Sequence, residues 1–137
     1  MSQREDLSYG LMNEEVVIDL LQKHFGTTFT HRGGYATFDF VSADGEIEVE
    51  LKSRRICHDQ YDTAIVGFNK VLYCKDPNKK YYFAFLYTDG LYIVQHQSSL
   101  FNTFTRNQQY MRGGRSDCSN APQHIINIPI RHLQKVV

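Results

Sequence analysis

The stretch ATFDFVSADGEIEVELKS, residues 36–53, decides the fold class. Two runs, Ala36–Ser42 and Glu46–Ser53, alternate apolar and polar residues around Asp44-Gly45, a strong hairpin signal. With Asp44-Gly45 as a two-residue loop, Ala43 faces Glu46, Phe40 faces Val49, Asp39 faces Glu50 and Thr37 faces Lys52. Side chains alternate along a strand. One face therefore carries Phe38, Phe40, Ile47, Val49 and Leu51, and the other carries Asp39, Glu48, Glu50 and Lys52.

Directly opposed residues place their Cβ atoms about 4.5–5.5 Å apart. Two carboxylates that close repel by about 1 kcal/mol in water and about 4 kcal/mol at a partly buried site. A divalent cation between Asp39 and Glu50 offsets this, and carboxylate oxygens suit Mg²⁺, with Mn²⁺ as substitute. Lys52, two residues from Glu50 on the same face, is placed to orient a water or stabilise negative charge. Such a set serves metal-assisted attack of water on a phosphodiester. Alternating charges also mark a solvated outer face, and a carboxylate-x-lysine triplet alone carries little weight. The facing Asp39 and an acidic helix upstream favour the chemical reading.

Outward from the hairpin, Leu11–Phe25 reads as a helix with Leu11, Val17, Ile18, Leu21 and Phe25 on one face and Gly26 as its stop. Asp59 is a cap for a second helix over Gln60–Tyr73, with Tyr61, Ala64, Ile65, Phe68 and Leu72 on one face. Tyr81–Thr88 and Leu91–His96 form another hairpin around Asp89-Gly90. Ser98–Phe104 reads as a short helix and 105–122 as a mobile polar loop. Ile125–Ile128 is a last strand and Pro129–Gln134 a short terminal helix. The order predicts a mixed α/β domain, its sheet flanked by helices.

The 137 residues suit one domain spanning 1–137, and 42% hydrophobic with 22% charged residues exclude a disordered or low-complexity chain. Three cysteines without paired spacing, no signal core at the N-terminus and no long apolar run predict a soluble intracellular protein with no membrane partner. Zinc is not expected, because Cys57, His58, Cys74, Cys118 and His124 lack ligand spacing. The formal net charge is zero, yet residues 1–50 hold three basic and ten acidic side chains, and residues 51–137 hold twelve basic and five acidic ones. The basic half offers Arg54, Arg55, Lys70, Arg112 and Arg115 as nucleic-acid-binding residues, whereas Lys75, Lys79 and Lys80 read as a solvated turn. The acids Glu14, Asp39, Glu48 and Glu50 are expected around one site. Tyr81, Tyr82, Phe83, Phe85, Tyr87 and Tyr92 fall on both faces of their hairpin, as core residues of a covered sheet do.

These residues resemble the PD-(D/E)XK nuclease superfamily: Asp39, ten intervening residues, then Glu50-Leu51-Lys52. Gly10, Glu14, Val17 and Ile18 are similar to the opening helix of archaeal Holliday junction resolvases, in which the helix glutamate joins the metal site. The resemblance implies a restriction endonuclease-like αβββαβ core over about 8–96; it says little about 97–137, which read as a hairpin and loop appendage. It implies Glu14, Asp39, Glu50 and Lys52 as the catalytic set and Glu14, Asp39 and Glu50 as metal ligands, with Glu15 as the alternative if the helix phase differs by one. Phe38 stands where many members have proline. Asn69 and Tyr73 have the spacing of a Gln-x-x-x-Tyr motif, with Asn in place of Gln. The implied activity is a Mg²⁺-dependent DNA endonuclease acting as a homodimer on Holliday junctions. Restriction-like, repair, DNA-degrading or RNA-directed cleavage stays open, as does a non-catalytic nucleic-acid-binding module on the same scaffold.

Overall fold

The structure is a computed structural model describing residues 14–32, 36–110 and 122–137. The element order is α1 (Glu14–Phe25), β1 (Phe29–His31), β2 (Phe40–Ser42), β3 (Ile47–Ser53), β4 (Thr63–Gly67), α2 (Phe68–Tyr73), β5 (Lys80–Tyr87), β6 (Gly90–Gln95), α3 (Ser98–Phe101), β7 (Thr105–Tyr110), β8 (Pro122–Pro129), a 3₁₀ turn (Ile130–His132) and β9 (Gln134–Lys135). It is a mixed α/β fold with a mostly sheet core. The main sheet runs β1-β2-β3-β5-β6-β9, and a second sheet runs β4-β8-β7. In the main sheet β3 and β5 are parallel and every other pair is antiparallel.

Helix α1 lays Val17 and Leu21, both fully buried, on one face of the main sheet against Phe40, Val49, Ala84 and Leu86. It ends at Gly26, whose φ of 68° is left-handed and whose amide donates to the Gln22 carbonyl. The opposite face packs Phe38, Phe83, Phe85 and Tyr92 against Ala64, Val66, Ile126 and Ile128 of the second sheet. The layers are therefore helix, sheet and sheet.

The expected helix Gln60–Tyr73 is corrected: residues 63–67 form strand β4, and only 68–73 are helical. Thr63, Ile65 and Val66 are β-branched and favour an extended chain. Ala64 and Val66 point inward with strand periodicity, while Tyr61 and Leu72 are exposed. Flanking by helices thus holds for one face alone. Part of the expected polar loop is strand β7, which pairs with β8. Ile126 and Ile128 sit in the core, so the C-terminal stretch is part of the fold rather than an appendage to it.

The β2–β3 register is the expected one, Phe40 opposite Val49 and Val41 opposite Glu48. The loop is longer than two residues: Ser42 and Ile47 flank it, the Gly45 amide donates to the Ser42 carbonyl, and Asp44 Oδ1 accepts from Ser42 Oγ and the Glu46 amide. In the second hairpin Tyr87 pairs with Gly90, which moves the loop to Thr88-Asp89. Gly90 has a φ of 150°, and a Cβ there would run into the Val137 carbonyl. That backbone region is essentially closed to other residues. Gly90→Ala should therefore cost about 1–3 kcal/mol in urea unfolding, with amide-exchange protection lost first along β9.

Candidate active site

β3 is bonded to β2 on one edge and β5 on the other, and both its faces are covered. Its alternation directs Glu48, Glu50 and Lys52 to the face that packs the second sheet. Glu50 lies opposite Phe83 and Lys52 opposite Phe85 across the parallel ladder. Residues 37–39 are bent rather than extended. Phe38 consequently leaves the face it would share with Phe40 and stacks on Tyr73, with ring centroids 5.0 Å apart. Two contacts hold the bend. Lys70 Nζ donates to the Thr37 carbonyl at 2.6 Å, and the Leu51 amide donates to Asp39 Oδ2 at 2.8 Å. The second bond puts a side-chain carboxylate where a backbone carbonyl would continue the ladder, and it brings Asp39 beside Glu50.

Glu50 is 4% exposed. Its Oε2 lies 3.3 Å from Lys70 Nζ and 3.9 Å from Lys52 Nζ. Its Oε1 is buried with no hydrogen-bond partner. Burial pushes the Glu50 carboxyl up to about 7, the neighbouring Asp39 carboxylate adds to this, and Lys70 and Lys52 oppose it. With Glu50 charged, Oε1 has no donor; a proton on Glu50 relieves the repulsion. A hard cation would relieve it as well, and two adjacent carboxylates with an unpartnered oxygen fit one.

Glu48, one turn of the pleat away, is not part of an open acidic cluster. It is fully buried, its Oε1 accepts from Arg32 Nη1 and Tyr73 Oη at 2.7 Å each, and its Oε2 accepts from Lys79 Nζ at 2.7 Å. The expectation of four acids around one site is corrected accordingly, because three donors already satisfy this carboxylate. Lys79, expected in a solvated turn, is half-buried there. Lys70, expected on nucleic acid, points at Glu50 and Thr37. Arg54 and Arg55 are exposed just past the end of β3. Glu14 is the first residue of α1, and its side chain lies outside the described part of the structure. Arg112 and Arg115 lie outside the described residues. Asn69 is exposed, while Tyr73 is bound to Glu48.

Among the described residues, the grouping of three side chains close enough to share a metal is His58, Asp59 and Asp89. His58 Nδ1 is already 2.5 Å from Asp89 Oδ2 and 3.1 Å from Tyr92 Oη, and its ring stacks on Tyr92, so this group reads as a tie between two loops. Arg32 and Lys79 carried no sequence signal as Glu48 partners. Lys70 was obscured by the misplaced helix phase. No protein-family model and no curated protein matches this chain.

The folded Glu50 carboxyl keeps its proton up to about pH 7, while an unfolded one releases it near 4.5. Between those values the folded state binds more protons, so stability falls as pH rises through that window. Thermal unfolding in EDTA should show this fall, and Glu50→Gln should flatten it. Glu48→Ala leaves Arg32 and Lys79 without their acceptor. Both cations are about one-third exposed, so the loss should be about 2 kcal/mol in urea unfolding, below the roughly 3–5 kcal/mol of a fully buried broken pair.

Proposed function

We propose that the chain is a metal-dependent DNA endonuclease built on a restriction endonuclease-like core. The observation that carries this reading is Glu50: a buried carboxylate with one unpartnered oxygen, beside Asp39 and facing two lysines. The sequence α1, β1, β2, β3, a crossover bearing α2, then β5 parallel to β3 supports it, since the resemblance to PD-(D/E)XK nucleases implies that order.

Asp39 and Glu50 would hold Mg²⁺, or Mn²⁺ in its place, with Glu14 as a further ligand implied by the resemblance. When bound, such a cation supplies charge that activates water and stabilises a developing phosphorane. Lys52, one-third exposed, keeps its ammonium at the solvent side of Glu50, where it can orient a water or meet a phosphate oxygen. Lys70 is more enclosed and fixes Glu50 to the bend that carries Asp39. Arg54 and Arg55 extend a positive surface beyond the strand end for the phosphate backbone. Resolution of branched DNA is the subclass implied by the opening helix. Two symmetric cuts need two sites, and hence a homodimer.

Cleavage of junction and linear DNA in Mg²⁺ should fall by about a hundredfold or more in Lys52→Ala and in Asp39→Asn. Equal activity in wild type and variants, or none from any of them with Mg²⁺ or Mn²⁺, would leave a binding module instead of an enzyme.

A further inference from the structure

The geometry points to a nucleobase pocket beside the proposed active site, in the cleft between the end of β3 and the outer edge of β4. Its occupant is one unpaired nucleotide of the DNA strand, with the base against Tyr61 and the β4 backbone and the phosphate on Arg54. The inference rests on the nuclease reading and deepens it by naming the form of substrate.

The cleft has a volume of about 480 Å³, within the roughly 300–1,000 Å³ of small-molecule sites. Its position follows from the ladder. Glu50 is level with Phe83 and Lys52 with Phe85, all on one face, and Phe85 lines the cleft. The floor therefore begins two residues beyond Glu50, about 7 Å along the strand. A strand held at Glu50 and Lys52 would bring its neighbouring nucleotide to this opening.

Three kinds of group meet there. Tyr61, on the rim, is 62% exposed, the most exposed large apolar side chain among the described residues. Such a ring offers a stacking face to any base. Thr63, Ala64 and Ile65 are consecutive and all line the cleft, so the β4 backbone itself forms a wall. Among the described residues β4 pairs with β8 alone, which leaves its other edge a row of amide donors and carbonyl acceptors without strand partners. Those groups match the hydrogen-bonding edge of a base. Arg54, which lines the cleft and is exposed, supplies a guanidinium suited to phosphate, two residues along the chain from Lys52. A base inside a duplex is stacked and paired and cannot reach such a wall, so the occupant is an unpaired or extruded nucleotide. An extended peptide could also add to the β4 edge. The Arg54 guanidinium in the lining, with no acidic side chain beside it there, favours a polyanion over a peptide.

The test uses the whole chain in EDTA and a single-stranded DNA oligonucleotide carrying 2-aminopurine. The chain has no tryptophan, so the probe's emission is read without interference. Binding should change that emission. Tyr61→Ala should weaken binding about tenfold or more, Tyr61→Phe should retain it, and Arg54→Ala should weaken it without abolishing the emission change. Unchanged binding in Tyr61→Ala and Arg54→Ala, or no binding of the single strand while duplex is cleaved in Mg²⁺, overturns the pocket and leaves the nuclease reading standing. An extended apolar peptide that binds where the oligonucleotide does not overturns it too. Tyr61-dependent binding by a wild type that cleaves nothing with any metal would uphold the pocket and sink the nuclease reading.

Discussion

The ladder between β3 and β5 buries a strand that alternates charged with apolar side chains. Parallel pairs sit in the middle of sheets with both faces covered, and their strands are usually apolar throughout. Here the strand is Ile47-Glu-Val-Glu-Leu-Lys-Ser53, and the sheet takes Glu48 and Glu50 inside with it. An isolated buried carboxylate costs several kcal/mol. Each neighbour that the loops and the short helix bring to this face can be understood as an answer to that cost.

The two answers differ. Glu48 is met from three sides by Arg32, Tyr73 and Lys79, and both its oxygens are satisfied. These contacts join the end of β1, the end of α2 and the start of β5, so the carboxylate acts as a structural rivet. Glu50 is left incomplete. Two lysines approach one oxygen, the other has none, and Asp39 is held close by the Leu51 amide although its charge is unwelcome there. Two residues apart on one strand, the acids separate stability from reactivity.

The hairpin register was legible because turn signal and hydrophobic alternation agree, and that register brings Asp39 to the level of Glu50, where the Leu51 amide then holds it. The opening helix was legible for the same reason: Val17, Leu21 and Gly26 fix its phase and end. Strand β4 was not. Tyr61, Ala64, Ile65, Phe68 and Leu72 fit a helical period by coincidence, while the β-branched Thr63, Ile65 and Val66, with Gly67, set the actual conformation. With the helix misplaced, the approach of Lys70 to Glu50 could not be read. Phe38 departs from strict alternation because it lies in a bend, and that bend depends on contacts far away in sequence, from Lys70 and Leu51. The partners of Glu48 come from positions 16, 25 and 31 residues distant, a separation at which local pattern holds no information.

The inward-facing cations also bear on how the protein would meet a polyanion. Arg32 and Lys79 are held by Glu48, and Lys70 by Glu50 and the Thr37 carbonyl. Arg32 and Lys79 have their charge compensated before any phosphate arrives, and Lys70 is turned inward, so these cations displace few counterions on association. The fifteen basic residues of the sequence therefore overstate the ion stoichiometry of such an encounter. The thermodynamic slope of affinity against salt would be governed by the smaller group at the strand end and the solvent-facing turns.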